Sequence, residues 1–139
     1  MRRPLLLVLA ASISILVGCL GTTGPPSSVA LPDPTCGGLK IKIEGALPCD
    51  RVVQIAIEAL RERAPQQLSR GVAAIDVFLS TCPRGEVPPQ IDCGSEQFAQ
   101  LVTITFNAAP PGGPIEPSLM VAVAPVSGTI LGISNPLIL

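Results

Sequence analysis

Only one stretch of this chain repeats its apolar residues at helical spacing, so the stripe it makes has no second helix to rest on. Between residues 50 and 64, Val52, Val53, Ala56, Ile57 and Leu60 fall on one side, with Arg51, Gln54, Glu58, Arg61 and Glu62 on the other. That is the pattern of a surface helix with one buried face. Asp50, two residues after Pro48, suits an N-cap, where a carboxylate accepts an orphan backbone N–H. Pro65 lacks the N–H a continuing helix needs and ends it.

The other regular segments alternate with period two, so the cover for that stripe is a sheet. Leu39, Ile41 and Ile43 alternate with Lys40, Lys42 and Glu44, which predicts a half-buried strand over residues 39–44 with one wet face. Residues 72–81 place Ile75, Val77 and Leu79 on one side, Asp76 and Ser80 on the other. Residues 101–107 set Val102, Ile104 and Phe106 against Thr103 and Thr105. Residues 119–124 and 129–134 flank Pro125-Val126-Ser127-Gly128, a turn-rich tetrad that predicts a hairpin. Pro-rich loops fill residues 83–94 and 109–117, and no internal repeat is visible. The expected fold is α+β: one helix packed on a four- to five-stranded antiparallel sheet, in the order β-α-β-β-β-β.

Five cysteines punctuate the chain, and four of them, Cys36, Cys49, Cys82 and Cys93, fall in the part expected to fold. An even count in a small exported domain reads as two disulfides. The spacings contain no C-x-x-C and no close ligand pair, so neither a thioredoxin-like redox site nor a zinc site is expected. Of three connectivities, Cys82–Cys93 is the most local and closes a Pro-rich loop. It leaves Cys36–Cys49, which is awkward if the residues between form one extended strand, because bridged Cα atoms lie about 4.4–6.8 Å apart. Either that strand is short and flanked by returning turns, or the pairing differs.

Export itself is written at the start of the chain. Arg2 and Arg3 precede an uncharged run over residues 4–17 rich in Leu, Val, Ile and Ala. The run is too short to span a bilayer core, which takes about 20 apolar residues, and it has the layout of a secretory signal. The tetrad Leu16-Val17-Gly18-Cys19 resembles the lipobox of bacterial lipoproteins. That resemblance implies a signal peptide over residues 1–18, cleavage before Cys19, and acyl chains on the Cys19 thiol and the new amine. Two or three chains hold a protein stably on a membrane, since each buried CH₂ contributes about 0.8 kcal/mol. Residues 19–35, rich in Gly, Pro, Ser and Thr, then form a tether between lipid and domain. A single small domain follows over residues 36–139. The expected location is the bacterial cell membrane or outer envelope, facing outside the cytoplasm.

Nucleic acid is not an expected partner. Nine basic residues stand against ten acidic ones, and removal of Arg2 and Arg3 makes the balance more acidic. Three Phe and no Trp or Tyr leave little for stacking on bases or caging a cation.

From residue 47 to about 133, the helix, the strands over 72–81 and 101–107, and the closing run from Met120 to Leu131 resemble the PepSY module of bacterial exported proteins. There a helix precedes a three-stranded antiparallel sheet closed by a V-x-V-D-x-x-T-G-x-[VIL]-like hairpin. Ala124 stands at or near the expected Asp, and Ser127 replaces the Thr before Gly128. The middle-strand aromatic falls to Phe106 or Phe98, and the first strand and the four cysteines lie outside the pattern. The resemblance implies an extracytoplasmic regulatory or inhibitory module, for example one acting on peptidases.

The chain has no His, so Ser–His–Asp and Cys–His catalysis within it are excluded. Gly112-Gly113 is followed by Pro114 and no Lys, which is no phosphate loop. Carboxylate-pair chemistry has candidates in Asp76, Asp92, Glu96, Glu44 and Glu58, each of which reads first as an ordinary solvated surface charge. Asp92, Ser95 and Glu96 fall far short of the six to eight oxygens Ca²⁺ takes. No catalytic, cofactor or metal residue is therefore assigned. The expected function is a non-catalytic binding or inhibitory module shown from a lipid anchor, meeting an envelope protein or peptide with a sheet edge or a Pro-rich loop. The alternative is a carboxylate-dependent hydrolase or metal-assisted enzyme of the cell envelope.

Overall fold

The computed structural model describes residues 30–37, 43–82, 91–113 and 117–135. The signal segment, Cys19 and most of the strand expected over residues 39–44 lie outside them. Within them run α1 (Cys49–Arg63), α2 (Pro65–Leu68), β1 (Val72–Thr81), β2 (Phe98–Phe106), β3 (Ser118–Val123) and β4 (Ile130–Ser134). The four strands form one antiparallel sheet in sequential order, with α1 on one face.

Helix α1 begins two residues earlier than an N-cap at Asp50 predicts. Pro48, extended at ψ 151°, takes the N-cap position, and no side chain caps the helix. Its carbonyl accepts the N–H groups of Arg51 at 3.0 Å and Val52 at 3.1 Å. Asp50 thus lies inside the first turn, where its charge still meets the positive end of the helix dipole. At the other end Ala64 donates to Leu60 O at 2.8 Å, and Pro65 opens the short turn α2.

Strand register explains the core. Val77, Val102, Val121 and Ile133 line up across all four strands, and Ile75, Ile104 and Leu119 form the next row. These rows meet Val52, Val53, Ala56, Ile57 and Leu60 of α1. Branched side chains opposite one another suit a pleated, covered surface.

The far face of the sheet is covered as well. Cys82, Ile91, Ala99 and Ala122 make a second apolar cluster, with Cys93, Leu101 and Leu131 against it. Pairing passes from Ala122↔Gly132 to Val123↔Ile130, so Leu131 is the extra residue of a bulge and joins this cluster. Small Ala99, Ala122 and Gly132 form a low floor on which the segment from Ile91 can lie. Leu119 to Val123 are consequently all buried, and their unbroken apolar run is the pattern of a strand covered on both sides.

Both outer strands carry a backbone plug. On β1, Thr35 donates to Ile75 O at 2.8 Å and accepts from Val77 N–H at 2.9 Å, as a parallel bridge. On β4, Ile91 bridges Gly132 and Asp92 donates to Leu131 O at 2.9 Å. Folded structure thus reaches Thr35, one residue before the expected start of the domain.

A disulfide stands beside each plug. Cys36–Cys49 has Cα atoms 6.2 Å apart and Cys82–Cys93 6.0 Å apart, inside the usual range. The first pairing is possible because the chain turns back at Glu44-Gly45, where Ala46 donates to Ile43 O at 3.1 Å. Leu47 then bonds Pro125 O at 2.8 Å and delivers the chain to Cys49.

Among the described residues two buried polar side chains break the apolar pattern: Gln100 Oε1 and Ser134 Oγ have no hydrogen-bond partner. Gln100, 2 % exposed, lies in register with Leu79 and Val123 on the helix side of the sheet. A buried acceptor left unpaired costs about 1–3 kcal/mol. Gln100→Met keeps the length and removes the carbonyl, so a thermal melt should show a gain of about 1 kcal/mol. A loss of that size would mean that the amide is bonded in solution.

Candidate functional site

The five carboxylates singled out from the sequence do not gather at one place. Glu58 lies on the solvent side of α1, and Asp76 is exposed on the sheet face turned away from that helix. Glu44 is exposed in the returning turn. Asp92 is exposed and accepts the Gly94 N–H at 3.0 Å with its Oδ1, which makes it a local turn former. Among the described residues no three Asp, Glu, Cys or His side chains converge.

Glu96 is placed differently. It is half-buried on the wall of a cleft of about 280 Å³ with Ile43, Ser95, Gln97, Phe98, Pro125 and Val126. Three separate stretches build this cleft: the lead into β2, the β3–β4 turn, and Ile43 just before the returning turn. Ile43, Phe98, Pro125 and Val126 give its apolar lining, Ser95, Glu96 and Gln97 an about equal polar share, and Glu96 is the one acidic residue among them. Of the five candidate acids Glu96 alone lines it, whereas acid–base hydrolysis takes two in one cleft.

Each wall is held by local bonds. Glu96 donates its N–H to Cys93 O at 2.8 Å, next to the Cys82–Cys93 bridge, and Cys82 donates to Gln97 O at 2.8 Å. Opposite, Gly128 donates to Ala124 O at 3.0 Å and Ala124 to Thr129 O at 2.8 Å. Ser127 Oγ donates to Thr129 Oγ1 at 2.9 Å within the same turn. Val126, 53 % exposed, stands at the tip of that turn beside Gly45. An apolar residue at the tip of a hairpin was the sequence signal for this cleft. Ile43 gave none, because it completes a strand pattern, and Phe98 gave none, because it precedes the clear alternation of residues 101–107.

The binding elements expected from sequence are placed as follows. Cys19 lies outside the described residues, as do residues 83–90 of the Pro-rich loop. The four other cysteines are joined as Cys36–Cys49 and Cys82–Cys93. The sheet edges are taken up near their middles by Thr35 and by Ile91 and Asp92. Among the described residues no helix is long and apolar enough to cross a membrane. No family model, curated protein or solved structure matches this chain.

Proposed function

We propose that this chain is a bacterial lipoprotein, held on the outer side of a membrane through Cys19, whose folded domain binds another envelope component without catalysing a reaction. The observation that carries this reading is the pair of disulfide bridges in so small a domain. Such bridges persist in oxidising compartments and are rare where cytosolic thiols are kept reduced. They agree with the export signal and the Leu16-Val17-Gly18-Cys19 tetrad. A single carboxylate in the described cleft favours recognition over hydrolysis. In its finer form the domain is a PepSY-like regulatory or inhibitory module. The support for that is a helix leading into an antiparallel sheet that closes on the Gly128 hairpin.

A mass spectrum of the native mature protein tests the anchor and the oxidation state together. The expected species starts at Cys19, carries two or three acyl chains and has its four remaining cysteines oxidised. Replacing Cys19→Ser should abolish labelling by a fatty-acid analogue and either release the chain or leave its precursor uncleaved. Normal membrane retention of that variant would refute the anchor. For the binding role, the lipid-free protein on a column should retain a specific envelope component; empty eluates under oxidising conditions would count against it.

A further inference from the structure

Resting on the binding-module reading, we infer that the cleft beside Glu96 is a receptor for one long basic side chain of an extended peptide, lysine for preference. Its volume of about 280 Å³ lies just below the roughly 300–1,000 Å³ typical of small-molecule sites. A long side chain fits in that space, which is too small for a folded ligand.

The lining then selects the kind of side chain. Phe98 and Val126, with Ile43 and Pro125, offer apolar walls to an aliphatic stem. Glu96, a half-buried residue of the same lining, supplies the acidic group for a cationic head. Among the described residues no cation pairs with that carboxylate. Lysine combines an apolar stem with a charged tip and is happiest where the two are separated in this way. An acidic or short polar side chain would leave either the carboxylate opposed or the walls uncovered.

The rim argues for a peptide over a free amine. Ser95 and Gln97 are exposed and alternate with Glu96 and Phe98 along the chain leading into β2. They bring a hydroxyl and an amide to the cleft, groups that exchange hydrogen bonds with a peptide backbone. Both walls are bonded in place before any ligand arrives, which lowers the ordering cost of binding.

The test uses the full-length mature protein in detergent, with the Ile43 and Val126 methyl groups followed by NMR. The probes are an end-blocked alanine pentapeptide with a central lysine, its norleucine and glutamate counterparts, and n-butylamine. The lysine peptide should shift both methyl signals saturably, and the norleucine peptide should bind at least about tenfold more weakly, as expected for loss of a charge-assisted bond. Glutamate should give no shift, and n-butylamine should be weaker than the lysine peptide. Glu96→Gln should cost the lysine peptide about tenfold with an unchanged melting temperature. Val126→Ser, at an exposed position, should weaken lysine and norleucine peptides alike.

Equal binding of lysine and norleucine, or indifference to Glu96→Gln, overturns the assignment of a cationic ligand. Equal binding of n-butylamine overturns the peptide. Silence from every probe overturns the site altogether. A component retained on the column whose binding ignores Glu96→Gln would leave the module standing and this inference refuted.

Discussion

Breaking either disulfide should lower the melting temperature by roughly 12–24 °C and make the protein self-associate through the sheet edge that the broken bridge guards. The thermal part follows from chain statistics. The bridged cysteines stand 13 and 11 positions apart in sequence, and a loop of that order is worth about 3 kcal/mol. In a domain of this size each kcal/mol shifts the midpoint by about 4–8 °C.

The second effect follows from where the bridges sit. Cys36 adjoins Thr35, which is bonded to Ile75 and Val77, and Cys93 adjoins Asp92, which is bonded to Leu131. By itself a backbone hydrogen bond contributes about 1 kcal/mol net. Freed of its bridge, a plug so lightly held detaches far below the cost of global unfolding. The uncovered strand then presents unpaired N–H and C=O groups to the next molecule. Hydrogen exchange separates the two plugs. Cys36→Ser with Cys49→Ser should deprotect the Val77 N–H, and Cys82→Ser with Cys93→Ser should deprotect the Asp92 N–H. Light scattering should report association in each case. A melt, exchange pattern and particle size all indifferent to reductant would refute the plug role.

These plugs mark the boundary of what local sequence can express. Helix α1 was legible because its apolar stripe and Pro65 are both local, and β1 occupies the residues its alternation indicates. Strand β2 starts at Phe98, three residues before the alternation becomes clear. Ala99 and Gln100 there face opposite sides yet are both buried, so the period-two contrast vanishes. Thr35 sits among Pro and Ser residues that read as tether, and Ile91 is a lone apolar residue after two prolines. Nothing near either one says that it will lie against a strand. The Cys36–Cys49 bridge was undecidable for a related reason, since it depends on the turn at Glu44-Gly45. The cleft, assembled from three distant stretches, had only Val126 to announce it.

The β3–β4 turn that carries Val126 also supplies the other large effect: Gly128→Ala should destabilise the protein by about 2–4 kcal/mol. Two causes add. Gly128 has φ +74°, and a side chain in that left-handed region costs about 1–2 kcal/mol. A Cβ there would also stand 2.8 Å from Ile55 Cδ1 and 3.1 Å from Leu47 Cδ1, inside the seat of α1 on the hairpin. Those contacts are with terminal methyl groups, which can swing aside at the expense of their own packing, so this share is partly relieved. The backbone share is not. Gly112 separates them, because it has φ +82° and a Cβ there would meet no described atom within 4 Å. Gly112→Ala should therefore show the conformational cost alone, and Gly128→Ala should exceed it by about 1–2 kcal/mol. Pairing Gly128→Ala with Ile55→Val, which deletes the crowded methyl, should recover part of that excess as a coupling energy. Equal losses at the two glycines, with no coupling to Ile55, would mean that the hairpin does not press on the helix. The same turn would then owe its position to its own hydrogen bonds, and the wall of the cleft that Val126 forms would stand independently of α1.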